Sequence, residues 1–168
     1  MTITNEEQKK IDKTSDESQK EKILTFKLAD ETYGLEIIKV REIIGMLPIT
    51  RMPKMPEDVR GVINLRGKVI PVIDLRIKFN MEATEATSET CIIVVDIRDA
   101  NRELLVGILV DGVSEVLEIG KSDIDNAPEL GYSDATNYIS GVAKSGDKVV
   151  ILLDIFSVLD IEFIDTIK

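Results

Sequence analysis

Shifting the chain by 80 residues lays residues 61–79 (GVINLRGKVIPVIDLRIKF) on residues 141–159 (GVAKSGDKVVILLDIFSVL) without a gap. Gly61, Val62, Lys68, Val69 and Asp74 then coincide with Gly141, Val142, Lys148, Val149 and Asp154. A shift of 73 places Gly34, Val40, Glu42 and Ile43 on Gly107, Val113, Glu115 and Val116. Two matches in the same order at similar offsets point to an internal duplication. Two unrelated hairpins of like composition would align equally well. A duplication is the stronger constraint, because it asks for one small architecture built twice.

The local patterns indicate what that architecture is made of. Leu24, Phe26 and Leu28 alternate with Thr25 and Lys27, and Tyr33, Leu35 and Ile37 repeat the alternation after a turn-like ADET. This is the period of half-buried strands. Val40, Ile43, Ile44 and Leu47 fall at i, i+3, i+4 and i+7, which predicts a short helix, and Val113, Val116 and Leu117 show similar spacing. Pro48, Pro53 and Pro56 break regular structure. CIIVVDI and LLVGILV open the second half after a polar linker at residues 80–90, and a polar stretch follows to about Tyr138. Many short strands and little long-helix signal predict barrels or sandwiches. The chain divides into a disordered tail at 1–22, where six acidic and five basic residues leave too little to bury, and a folded unit at 23–168. Within it, a first barrel half spans about 23–80 and a second about 91–160. Each barrel is either contiguous or completed by a strand from the other half.

Residues 61–68, GVINLRGK, have the look of a phosphate loop but lack its requirements. Five residues, not four, separate Gly61 from Gly67, and Val69 stands where a magnesium-binding Ser or Thr is needed. A hairpin explains the stretch better: VINL and KVIPVIDL are strands joined at Arg66-Gly67-Lys68, with Pro71 expected at an edge or bulge because it donates no ladder hydrogen bond. Ser145-Gly146-Asp147 is the matching turn. The counterpart of Arg66 is therefore Gly146, and the turn alone does not call for arginine. Arg66 is either a solvated turn charge, an ion-pair partner, with Glu42 the candidate mate, or a contact for another protein.

Composition removes several function classes. A formal net charge of -10 repels phosphate backbones and argues against nucleic acid as a partner. The chain has no histidine, which removes the commonest general base and metal ligand. Its single cysteine, Cys91, sits in an apolar run and cannot form an internal disulfide. No apolar run approaches the roughly 18–20 residues that span a bilayer, and the first residues lack a signal-peptide pattern; a cytoplasmic protein without direct membrane insertion is expected. The pairs Asp96 with Asp99, Asp123 with Asp125 and Asp154 with Asp160 offer carboxylates for acid–base work, but an acid-rich surface produces such pairs by chance. A glycosidase-like enzyme and a small-ligand-binding barrel stand as alternatives to an interaction module.

KVREIIG at 39–45, RGVINLRGKVIPVIDLRIKF at 60–79, VGILVDGVSEVLEI at 106–119 and YISGVAKSGDKVVILLDI at 138–155 closely resemble the chemotaxis coupling protein family, CheW. The likeness runs from about Ile23 to the C-terminal region. It implies a mainly β fold of two SH3-like five-stranded β-barrel subdomains related by internal duplication, with short helices and no cofactor or catalytic activity. It implies an adaptor between the cytoplasmic tip of methyl-accepting chemotaxis receptors and the regulatory domain of the histidine kinase CheA, with other CheW-like domains as further partners in arrays. By motif position, the residues associated with these partners are Val40, Glu42, Gly61, Val62 and Arg66, with Val110 and Val113 in the second half. Gly61 and Gly107 are alternatively backbone requirements. Relatives that fuse the module to a receiver domain are longer, so the stand-alone adaptor is expected.

Overall fold

In the computed structural model, which describes residues 19–97, 103–126 and 138–159, the first alternating stretches pair as a hairpin. β1 (Lys20–Leu28) and β2 (Glu31–Glu36) run antiparallel, with Phe26 opposite Tyr33. β1 begins at Lys20, so the end of the expected tail is strand; the tail as far as residue 18 lies outside the described residues. The expected helix around Val40 is instead a single 3-10 turn, Ile37–Lys39, followed by strand β3 (Val40–Gly45). The β-branched run Val40, Ile43, Ile44 fits a pleated surface better than a helix, and pairing with β6 decides the matter. The hairpin expected from the apolar run is present as β4 (Val59–Leu65) and β5 (Lys68–Asp74), and α1 (Leu75–Lys78) is capped by the Asp74 carboxylate, which accepts from the Arg76 N–H.

The second half follows the same script: β6 (Cys91–Asp96), β7 (Leu105–Val110), β8 (Gly112–Gly120), a 3-10 turn at Lys121–Asp123, β9 (Ile124–Asn126), β10 (Ile139–Ser145), β11 (Lys148–Leu153) and α2 (Ile155–Val158). Val113, Val116 and Leu117 therefore lie on strand β8 and not on a helix. Register shifts at equivalent places, between Val40 and Glu42 in β3 and opposite Leu24 and Phe26 in β8, break the simple alternation that would have marked both as strands. Asp154 caps α2 as Asp74 caps α1, by accepting from the Phe156 N–H.

The strands form two sheets, ordered β8-β1-β2-β11-β10-β9 and β3-β6-β7-β5-β4. Under the two sequence offsets, β1 to β5 map onto β6, β7, β8, β10 and β11, and one strand order becomes the other. Only the short β9 makes the first sheet six-stranded; its place in the second is taken by an isolated bridge from Thr50 to Val62. Each sheet therefore mixes strands from both halves of the sequence. The joins are parallel: β2 meets β11 with Gly34 beside Leu152, and β7 meets β5 with Gly107 beside Val72. A Cβ on Gly34 would stand 2.5 Å from Ile23 Cγ2, and one on Gly107 2.8 Å from Ile92 Cγ2, so both joins depend on a missing side chain. Pro71 is in the interior strand β5 and not at an edge. It is tolerated because the ladder to β7 starts one residue later, at Val72.

Apolar packing is arranged in three clusters. One fills each sheet: Ile63, Ile70 and Val72 in the five-stranded sheet, and their counterparts Ala143, Val150 and Leu152 in the other. The largest lies between the sheets and includes Phe26, Leu35, Ile73, Ile93, Val106 and Ile108. Through it runs a relay of ring contacts, Phe26 to Tyr33, Tyr33 to Phe79 and Phe79 to Tyr138, at centroid distances of 6.0, 5.7 and 5.7 Å. Cys91 is buried, and burial raises its thiol pKa.

The chain passes between the sheets twice, through Ile37–Lys39 and through Asp111. Asp111 accepts Arg76 Nε at 2.8 Å and Nη2 at 2.5 Å, and also the Ala29 N–H at 2.7 Å. The Arg76 hydrogen bond, helped by the Ala29 N–H and opposed by burial, holds the Asp111 carboxyl below its ordinary value. A depressed folded-state pKa adds stability above the unfolded value, near about 3.9, which is lost as pH falls through the folded one. Asp111→Asn is expected to lower unfolding free energy by about 1.5–3 kcal/mol at pH 7. In urea titrations the gap between parent and variant should shrink as pH drops below that ordinary value; a gap unchanged in acid would contradict the assignment.

Candidate functional surface

Arg66 occupies a two-residue turn, with Leu65 paired to Lys68 and φ values of 51° at Arg66 and 89° at Gly67. The turn is one residue shorter than expected, since Lys68 already belongs to β5. Positive φ at both central places is the hairpin geometry whose twist suits the flanking strands. The Asn64 side chain holds it by accepting the Gly67 N–H at 2.8 Å. Gly146, with φ 61°, fills the first place in the second turn. An arginine held where its counterpart is glycine carries a conformational cost, of order 1–3 kcal/mol, with no benefit to the turn itself.

That side chain reaches Glu42, and the Arg66 guanidinium donates to the Glu42 carboxylate. β3 and β4 are the two edges of the five-stranded sheet, so the contact brings one edge to the turn beside the other. Arg66 is 70% exposed and Glu42 29%, so the pair lies at the surface. A pair this exposed contributes about 0–1 kcal/mol. Around it, Arg41 lies 3.5 Å and Lys68 3.7 Å from the Glu103 carboxylate, and Arg41 lies 3.9 Å from Asp96. In the second module Glu115, the counterpart of Glu42, lies 4.0 Å from Lys148.

Four of these charges, Glu42, Lys68, Glu115 and Lys148, are each followed in sequence by an exposed apolar residue. Ile43 follows Glu42 and Val69 follows Lys68; Val116 follows Glu115 and Val149 follows Lys148, and all four are exposed. The two pairs are counterparts under the sequence offsets. The chain thus exposes like residues at equivalent strand positions in both modules, with Arg66 at the turn of the first copy and Gly146 at the turn of the second. Sequence reasoning missed these four residues as surface because periodicity assigned Ile43 and Val116 to helical stripes.

The remaining candidates separate into surface and support. Val40 is half-buried on β3, and Val113 half-buried on β8, both packed on the central core. Val110 is 1% exposed within that core and presents nothing to a partner. Gly61 has φ 142°, and a Cβ there would meet the Thr50 carbonyl oxygen at 2.2 Å. Val62 exchanges both backbone hydrogen bonds with Thr50, at 2.8 and 2.9 Å. Gly61 and Val62 therefore seat the loop beside β4. Of the paired carboxylates, Asp154 caps α2 and Asp96 faces Arg41, while Asp99 and Asp160 lie outside the described residues.

A CheW-like domain matches residues 22–163. The chain belongs to the CheW-like family. Among relatives in this family, the chemotaxis protein CheW of Klebsiella aerogenes is 38% identical over 152 residues, covering 90% of this chain and 89% of that protein. CheW of Bacillus subtilis is 35% identical, covering 84% and 88%. The crystal structure of the scaffolding protein TtCheW from Thermoanaerobacter tengcongensis superposes with a TM-score of 0.75 at 36% identity, covering 84% of this chain and 93% of that one. The CheW-like fold read from the motifs is the fold observed: mainly β, duplicated, with four-residue helices.

Two substitutions separate support from surface. Gly61→Ala is expected to cost about 3 kcal/mol or more, since strain and a backbone clash add. Arg66→Gly should leave stability within about 1 kcal/mol of the parent, because relief of the positive φ offsets the lost ion pair. Urea denaturation of both variants checks the ranking, and equal losses would contradict it.

Proposed function

We propose that this chain is a non-catalytic adaptor that couples methyl-accepting chemotaxis receptors to the histidine kinase CheA. The observation that carries the reading is the set of exposed residues that recurs in both modules: Ile43 and Val69 with the Glu42–Arg66 pair, and Val116 and Val149 with Glu115 and Lys148. Exposed apolar side chains rimmed by charge are the composition of a protein-binding patch. Two of them on one molecule suit a part that joins proteins. Specific interfaces take up about 800 Å² on each partner, and the chain's 10967 Å² of accessible surface accommodates more than one.

In this reading the kinase's regulatory domain, itself similar to CheW, docks on one module, and the cytoplasmic tip of the receptor lies near Val40, Glu42 and Arg66. Further CheW-like domains are accommodated at the second copy of the surface. The protein works in the cytoplasm and is recruited to receptor arrays. Among the described residues, no helix is long and apolar enough to cross a membrane. The work is done by packing two proteins in a fixed relation, so that a change in one is felt by the other.

The test uses Arg66→Gly, which keeps the turn and removes the side chain. In a reconstituted assay with receptor fragments and CheA, this variant is expected to fold normally and lose receptor-dependent control of the kinase. Full control by the folded variant would contradict the role given to Arg66.

A further inference from the structure

The two passages between the sheets occupy equivalent places, but among the described residues only one is held by an ion pair. Under the offset of 73, Asp111 corresponds to Ile38; under the offset of 80, Arg76 corresponds to Phe156. At the Asp111 passage, Asp111 holds Arg76 through two hydrogen bonds and Ala29 through a third, and its own N–H donates to the Lys27 carbonyl at 3.1 Å. Arg76 also donates to the Glu82 carbonyl at 3.2 Å, and its backbone N–H is taken by Asp74, 5% exposed. Lys27 and Ala29 lie on the β1–β2 hairpin of the six-stranded sheet, whereas Arg76 follows β5 of the other. At the Ile37–Lys39 passage Ile38 is 83% exposed, and Lys39 lies over the Phe156 ring at 4.8 Å. The helix cap is duplicated; the ionic clasp is not.

We propose that the Arg76–Asp111 clasp is a positioning device that fixes the angle between the two modules, and that the passage at Ile37–Lys39 has no equivalent lock. The core between the sheets drives them together, but apolar attraction is non-directional and tolerates a range of relative tilts. A planar guanidinium gripped by both oxygens of one carboxylate is directional. Asp111 is the only residue between β7 and β8, so fixing its carboxylate fixes where the chain enters the second sheet. This rests on the adaptor reading: a coupler whose modules tilt freely binds its partners without transmitting between them. Arg76 and Asp111 are positioning residues and are not assigned any contact with a partner.

The test measures the angle directly and the coupling separately. Val69 and Val149 are exposed, lie on β5 and β11, and are counterparts under the offset of 80. Spin labels at these positions, in a background where Cys91 is replaced by valine, report the distance between the modules by pulsed electron resonance. The parent should give one narrow distribution, and Asp111→Asn a broader or shifted one. Arg76→Gln is the second variant should Asp111→Asn fail to fold, and Arg76→Lys, which keeps the charge but not the fork, should fall between. In parallel, the variants should bind the CheA regulatory domain and a receptor tip fragment within roughly threefold of the parent, while receptor-dependent kinase control falls roughly tenfold. An unchanged distribution in a folded variant overturns the proposal, and so does a broadened one with full kinase control. If the parent itself binds neither fragment, the adaptor reading fails, while the distance comparison still decides whether the clasp sets the angle.

Discussion

The structure depends on two parallel strand pairings, β2 with β11 and β5 with β7. Each joins the first half of the chain to the second, and each is made at a glycine, Gly34 or Gly107, where a side chain would strike a buried isoleucine. Without these joins neither sheet has its interior neighbours, and the backbone groups along four strands lose their partners. The duplication is therefore not two beads on a string. Each module is completed by the other half, and the core between them includes strands of both. Coupling of the two surfaces follows from this interleaving, because each sheet holds strands from both halves and the chain crosses from one sheet to the other at Ile37–Lys39 and Asp111.

On that frame the two copies differ at most positions but keep a shared outer set. Glu42 and Glu115, Lys68 and Lys148, Val69 and Val149 all keep their places, so the outer surfaces remain alike in shape and apolar character. Arg66 against Gly146 changes the charge at the turn, and Arg76 with Asp111 against Phe156 with Ile38 changes how the chain is held between the sheets. A duplicated fold obtains two docking surfaces by repetition and makes them distinct at turns and passages, where substitution disturbs the core least.

Much of the fold was legible in the sequence because it is repeated there. Gly61, Lys68 and Asp74 recur 80 residues on at a backbone-contact site, the start of a strand and a helix cap, and the hairpin around Arg66 could be drawn from turn chemistry alone. The Glu42–Arg66 pairing was also accessible, since Gly146 shows that the turn has no need of arginine. Register shifts in β3 and β8 hid two strands, by displacing Ile43 and Val116 into a helix-like spacing. Long-range partnership hid the rest. That β2 takes β11 on its second side, opposite β1, is decided by the fit of Gly34 against Ile23, Val150 and Leu152, and no local pattern contains that information. Val110 looked like a docking residue because its neighbours carry the family motif, yet β7 is interior and covered on both faces.

The central claim is that one molecule grips two different proteins at once through modules held in fixed relation. Sedimentation velocity of the intact chain mixed with the CheA regulatory domain and a receptor tip fragment tests it most directly. A single complex containing all three chains is the expected result. Binding of each fragment alone, with either displacing the other and no species of all three, would contradict it.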